Sequence, residues 1–274
     1  MTNKSILLSL PLLWLFFACD PGKKQSETAN TSEQVEEEMA QATEITISPV
    51  NDSPEFPDAI LDMNTPEDMS TIEPGPVAFD FEVTNYQLTA KTADADMKMC
   101  ANSAKGQHIH LILNNAPYTA HYEASFEKEM EPGHYVALAF LSRSYHESLK
   151  DPEAYVIRQF TVGDVEAEPA DLTTPHMFYS RPKGTYTGED TRKILLDFFL
   201  LNTDLSPDGN KVRATINGQE FMIDKWQPYF VEGLPMGQNT FKLELLDAEG
   251  NLVESPFNPV ERTVTLQASD TQAM

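Results

Sequence analysis

The stretch Gly106-Gln107-His108-Ile109-His110-Leu111-Ile112-Leu113-Asn114-Asn115 returns later in the chain as Gly209-Asn210-Lys211-Val212-Arg213-Ala214-Thr215-Ile216-Asn217-Gly218. Each copy alternates side chains with the two-residue period of a strand and closes on residues that tolerate positive φ, so each reads as a strand running into a hairpin. Upstream, Phe79-Asp80-Phe81-Glu82-Val83-Thr84-Asn85 is matched by Leu196-Asp197-Phe198-Phe199-Leu200-Leu201-Asn202. Downstream, Pro132-Gly133-His134 is matched by Met236-Gly237-Gln238. A Ser-Pro strand, Ile47-Ser48-Pro49, precedes the first copy, and Tyr179-Ser180-Arg181-Pro182 precedes the second. Further turn chemistry at Pro207-Asp208-Gly209 and Glu249-Gly250, with no sustained helical period, makes the chain all-β. The expected architecture is two tandem immunoglobulin-like β-sandwiches at 45–162 and 174–267, joined by a linker at 163–173 and followed by a tail at 268–274.

The N-terminus points to export. Lys4 is followed by a largely apolar run of 13 residues from Ile6 to Ala18. A membrane-spanning helix needs about 20 apolar residues, so this run fits the core of a signal peptide covering residues 1–18. Its end, Phe16-Phe17-Ala18-Cys19, resembles the bacterial lipobox, in which the cysteine is lipidated and becomes the mature N-terminus; the two phenylalanines depart from the usual pattern. That resemblance makes Cys19 the expected lipid anchor. Residues 19–44 are polar and acidic, with Glu36-Glu37-Glu38 at the centre, and are expected to form a tether without a core of its own. With Cys19 lipidated, Cys100 has no disulfide partner within the chain, and each sandwich must be held by its own core.

Nineteen basic residues face 43 acidic ones, a formal net charge of −24. Such a surface repels phosphate backbones and excludes nucleic acid as a partner. Partners compatible with it are the membrane reached through the lipid and an envelope protein, peptide or glycan.

Gly106-Gln107-His108-Ile109-His110-Leu111, followed by Ser142-Arg143-Ser144-Tyr145-His146-Glu147, resembles Ig-like domains of Gram-negative envelope lipoproteins, which open on a Ser-Pro strand and carry a His-x-His strand before a hairpin. The resemblance covers most of the first domain and, without the histidines, the second. It implies a sandwich fold and a place in the cell envelope, at the outer membrane, but no particular chemistry. Some lipoproteins of this kind carry a phosphopeptide-binding label, which no residue here supports and which the acidity opposes.

Five of the six histidines lie in the first copy: His108, His110, His121, His134 and His146. On a strand, His108, His110 and Ile112 share one face, and Ile109, Leu111 and Leu113 share the other. In the second copy Lys211, Arg213 and Thr215 occupy the face that carries the histidines in the first, so that face is expected to be accessible to solvent. Two imidazoles at i and i+2 are close enough to ligate one ion, with His134 and His146 as further candidates if the strand order returns them. Met97, Met99 and Cys100 would add soft ligands suited to copper, and a carboxylate such as Glu147 would suit zinc. The competing interpretation is a set of surface or hydrogen-bonded histidines with no ion.

Weaker candidates are Arg143 and Tyr145 as an anion contact, and Trp226 with Tyr229 and Phe230 as an aromatic platform for sugar or peptide. Asp94-x-Asp96 and Asp247-x-Glu249-x-Asn251 lack the glycine and terminal glutamate of a calcium loop and read as polar turns. Ser142, Ser144 and His146 lack a nucleophile elbow. The leading function is therefore a non-catalytic binding or scaffold lipoprotein. Transition-metal binding, copper or zinc, comes second, and a metal-dependent hydrolase last.

Overall fold

The structure, a computed structural model, describes residues 44–269; Cys19, the signal peptide, most of the acidic segment and residues 270–274 lie outside them. The strands in chain order are β1 (Thr46–Pro49), β2 (Ile60–Thr65), β3 (Thr71–Ile72), β4 (Gly75–Thr84), β5 (His108–Leu113), β6 (Thr119–His121), β7 (Ser125–Met130), β8 (Gly133–Ser142) and β9 (Tyr155–Val162), then β10 (His176–Arg181), β11 (Thr185–Thr187), β12 (Ile194–Leu201), β13 (Lys211–Ile216), β14 (Gln219–Ile223), β15 (Tyr229–Glu232), β16 (Gly237–Leu246) and β17 (Val260–Gln267). One short 3-10 turn, Gly188–Thr191, interrupts them.

Each copy folds as two facing sheets. In the first, β2-β4-β7 packs on β3-β9-β8-β5-β6; in the second, β15-β12-β10 packs on β11-β17-β16-β13-β14. The two copies share strand order, including a short second strand that pairs in parallel with the last. This is the immunoglobulin-like sandwich. The hairpin between β13 and β14 turns on Asn217 and Gly218, both at positive φ (48° and 86°), as the Asn-Gly pair requires. Asn114 and Asn115 do the same after β5 (49° and 55°).

The Ser-Pro strand does not open the first sandwich. β1 runs antiparallel to β15 of the second, with Ile47 opposite Val231, and Ile45 and Ile47 pack on the second core. It covers what would otherwise be a free edge of that sheet. The true counterpart of β10 is β2. Both pair with the long strand that follows the short parallel one, and both carry a register shift near their end, at Met63/Thr65 and Tyr179/Arg181, just before Pro66 and Pro182.

Two sandwich cores form in the expected way, one around Phe79, Ile109, Leu111 and Phe160, the other around Phe198, Val212, Phe241 and Val264. A third apolar cluster lies between the sandwiches. It unites Ile112, Val136, Leu138 and Phe140, from the outer face of β5 and β8, with Phe178, Phe199 and Leu201 from the outer face of β10 and β12. Phe140 stacks on Phe199 with centroids 5.2 Å apart. β12 is accordingly buried along its whole length, Ile-Leu-Leu-Asp-Phe-Phe-Leu-Leu, as a strand covered on both faces must be. Asn115 fastens the seam: its side chain donates to the carbonyl of Phe257 at 2.9 Å and accepts from the amide of Tyr179 at 2.8 Å.

Candidate metal centre

The expectation of an accessible histidine face fails. His108 and His110 are fully buried, because the outer face of β5 is the one on which the second sandwich sits. Alternation had correctly placed them side by side; it carries no information about what covers them.

His146 reaches the pair from the turn after β8. His108 Nε2 lies 2.8 Å from His110 Nε2 and 3.1 Å from His146 Nδ1, and one nitrogen from each of the three rings falls within a 4.8 Å cluster. Metal–nitrogen bonds of about 2.0–2.1 Å around a tetrahedral ion space the ligand atoms about 3.3 Å apart, so small side-chain shifts suffice for all three to ligate one ion. Three imidazoles suit zinc or copper.

The surroundings orient the rings. His108 Nδ1 lies 2.7 Å from the carbonyl of Gly106, which can only accept, so Nδ1 carries the proton and Nε2 presents its lone pair to the cluster. Gly106 itself is required there: φ is +84°, and a Cβ would sit 2.3 Å from the carbonyl oxygen of Thr89. The Tyr118 ring stacks on His110 at 3.6 Å, and its hydroxyl lies 3.3 Å from His146 Nδ1. Without an ion, the same contacts form a relay in which His110 Nε2–H donates to His108 Nε2. His110 Nδ1 would then be a buried lone pair with no partner among the described residues.

His146 sits at φ 68° in a turn anchored from several sides. Arg143 pairs with Glu147 at 2.8 Å, and Ser53 donates to the same carboxylate at 2.8 Å. The Arg143 guanidinium also donates to the carbonyl of Pro54, and Tyr86 donates to that of Ser142 at 2.9 Å. Burial drives all three imidazoles toward the neutral form: His108 is pulled down to about 4, and His110 and His146 well below their ordinary value. The charges of Arg181 and Lys183 push the same way. Neutral imidazole is the ligand form.

The remaining candidates separate from this cluster. His134 stands at the opposite end of β8, bonded to Thr161 and Gln159 at 3.1 Å each. Glu147 is committed to Arg143 and Ser53 and does not reach the imidazoles as a ligand. Met97 and Met99 are exposed, and Cys100 packs with Ala95, Tyr145 and Phe230, where burial pushes its thiol up to about 11. Arg143 and Tyr145 are not an anion contact: both are buried, the first holding the turn together, the second with its hydroxyl 3.4 Å from Asp94. Trp226 is no platform either, since it is wedged into the seam edge-on to Phe199 and donates to the carbonyl of Phe198 at 2.9 Å. Tyr229 belongs to the second core.

Tyr118, Gly106 and Arg181 complete the surroundings of the site, and no ligand spacing points to any of them. Tyr118 stands in the sequence as an isolated aromatic after Asn114-Asn115, and Arg181 as part of a strand ending in proline. A usable signal did exist in the unbroken apolar run Val136–Leu141 and in Ile194–Leu201, apolar but for Asp197, which mark two strands covered on both sides.

No family model matches the chain, and no curated protein matches it in sequence. Among solved structures it is similar to the fibronectin(III)-like modules of Clostridium thermocellum CbhA, at 9% identity over 78% of this chain and 98% of that one, with a TM-score of 0.28. A central fibronectin-III array of RIM-binding protein (9% identity, 81% and 72% covered, TM-score 0.26) is also similar. So is the Bacteroides ovatus SGBP-B of a mixed-linkage glucan utilization locus, solved with a mixed-linkage heptasaccharide (9%, 82% and 71%, 0.22). The assignment to tandem immunoglobulin-like sandwiches rests on the strand order and the two closed cores of this chain.

Proposed function

We propose that this chain is a lipid-anchored envelope protein whose paired sandwiches hold one transition-metal ion, zinc or copper, on His108, His110 and His146. The observation that carries this reading is the convergence of three imidazole nitrogens, from two separate segments, within 4.8 Å at a buried point. The second copy places Lys211 and Arg213 where the first has His108 and His110, so the sandwich does not need imidazoles there to fold. The lipobox-like Phe16-Phe17-Ala18-Cys19 supports anchoring, and the signal-peptide core supports export. The module is read as non-catalytic, a rigid holder rather than a hydrolase. Its nearest carboxylate in sequence, Glu147, is tied to Arg143 and Ser53 and is not free to act as a base.

The test is stoichiometry with a built-in control. The full chain, stripped of metal, is titrated with Zn²⁺ and Cu²⁺ by calorimetry, and its metal content is measured after dialysis. One equivalent is expected. Affinity should fall at least about 100-fold in His108→Ala, His110→Ala or His146→Ala and stay unchanged in His134→Ala, whose ring is elsewhere. Equal losses in all four variants, or less than a tenth of an equivalent bound by the parent, would sink the reading.

A further inference from the structure

Beside the histidines lies a group of cations with no anion of their own. Arg181, at the end of β10, is 5% exposed, yet among the described residues its side chain makes no hydrogen bond and no ion pair, and its Nε is fully buried without a partner. Its guanidinium carbon lies 5.4 Å from the Tyr186 ring centre and 6.0 Å from that of Tyr118. Lys183 stands 3.8 Å over the same Tyr118 ring and donates to the Tyr118 carbonyl at 2.6 Å. Arg262 lies over Tyr179 at 4.3 Å and donates to the carbonyls of Asn115 and Ser180. None of the three belongs to any of the seven ion pairs of the described residues. Asp197, a carboxylate whose charge reaches Arg181, is itself held by Lys150 at 2.6 Å.

That is an unusual balance in a chain whose acidic residues outnumber its basic ones 43 to 19. Burying a guanidinium without partners is among the costlier arrangements in a protein. Contact with aromatic faces offsets part of the cost but satisfies none of the five N–H donors. The planar donor fork of arginine matches the oxygens of a carboxylate or phosphate group, and a neighbouring ammonium adds charge without geometry. Lys183 is part-exposed, which leaves the group a side open to solvent.

We infer that Arg181 and Lys183 form a binding site for a small oxyanion, a carboxylate or phosphate group, in the seam beside the histidine cluster. The site stands on these cations and does not depend on the metal.

The experiment therefore uses the metal-stripped full chain. Inorganic phosphate is titrated calorimetrically at constant ionic strength set with potassium chloride, against the parent protein, Arg181→Gln and Lys183→Gln. Saturable one-to-one binding is expected, weakened at least tenfold by Arg181→Gln and several-fold by Lys183→Gln. Repeating the titration with phenyl phosphate separates sources: binding of both marks an anionic group carried on a larger ligand, and binding of phosphate alone marks a free ion. No saturable binding of either probe below 20 mM, as an order-of-magnitude ceiling, overturns the inference. So does unchanged affinity in Arg181→Gln. Should that variant fail to give the parent's near-ultraviolet circular dichroism, Lys183→Gln decides the matter, since its side chain is part-exposed, and unchanged affinity there overturns the inference. Metal titration of the same Lys183→Gln protein keeps the two questions apart, because loss of the oxyanion with metal binding intact concerns this site alone.

Discussion

β5 and β13 are the same strand in two copies of one fold, and their outer faces have opposite fates. On β13, Arg213 faces Glu244 of β16 and is bonded to it at 2.8 Å, while Thr215 faces Lys242; this face meets water. On β5 the equivalent positions are His110 opposite Phe140 and Ile112 opposite Leu138, and this face meets the second sandwich. Register and alternation are shared, so the difference comes from what is laid on top. A polar group on the β13 face keeps its hydration. On the β5 face it must find a partner inside the protein or bind a ligand. That is why histidines there converge into a cluster rather than standing as separate surface residues.

Charge is the harshest way to break the comparison. Ile112→Asp places a carboxylate in the seam and is expected to cost about 4 kcal/mol, enough to part the sandwiches or unfold the chain. Thr215→Asp at the matching position of β13, opposite Lys242, should stay within about 0.5 kcal/mol. Urea denaturation of the two variants beside the parent measures both. Similar losses would mean that the two faces are alike.

Gly106→Ala acts on the support of the cluster rather than on its face. Positive φ and the nearby Thr89 carbonyl make it cost on the order of 2–3 kcal/mol and displace the acceptor that orients His108. Metal affinity should fall with it, whereas Gly218→Ala, with open space around its Cβ position, should leave affinity intact.

Acid provides a gentler probe. In the metal-free protein, His108 titrates near 4 when folded, against 6.5 as its ordinary value. Above pH 6.5 both states are neutral and the difference contributes nothing. As pH falls below 6.5 the unfolded chain takes up the proton first, so stability drops, by about 2 kcal/mol at pH 5 for this one ring. His108→Gln should flatten the stability profile between pH 6.5 and 4. An unchanged slope would place the His108 ring in water.

Much of this was legible in the chain. Turn residues and two-residue alternation yield the sandwiches, the Asn217-Gly218 hairpin and the shared face of His108 and His110. His146 was a candidate whose arrival depended on strand order, and pairing of β5 with β8 brings the end of β8 back beside His108, opposite Ser142. His134 fails for the same reason, since it is the second residue of that ten-residue strand and so lies at the far end of the sheet. What alternation cannot convey is coverage, which is a property of the second sandwich and not of β5. Using β13 as a guide to β5 therefore inverted the answer. The Ser-Pro motif misled in a related way: a short strand before a proline fits several edges, and Ile47 found the one beside Val231.

The most direct test of the histidine centre is X-ray absorption on the full chain loaded with one equivalent of zinc. The account predicts a first shell dominated by three imidazole nitrogens at about 2.0–2.1 Å, with the outer-shell scattering of imidazole rings, and its loss in His146→Ala. A shell of oxygen ligands, a sulfur at about 2.3 Å, or the same spectrum from His146→Ala would contradict it.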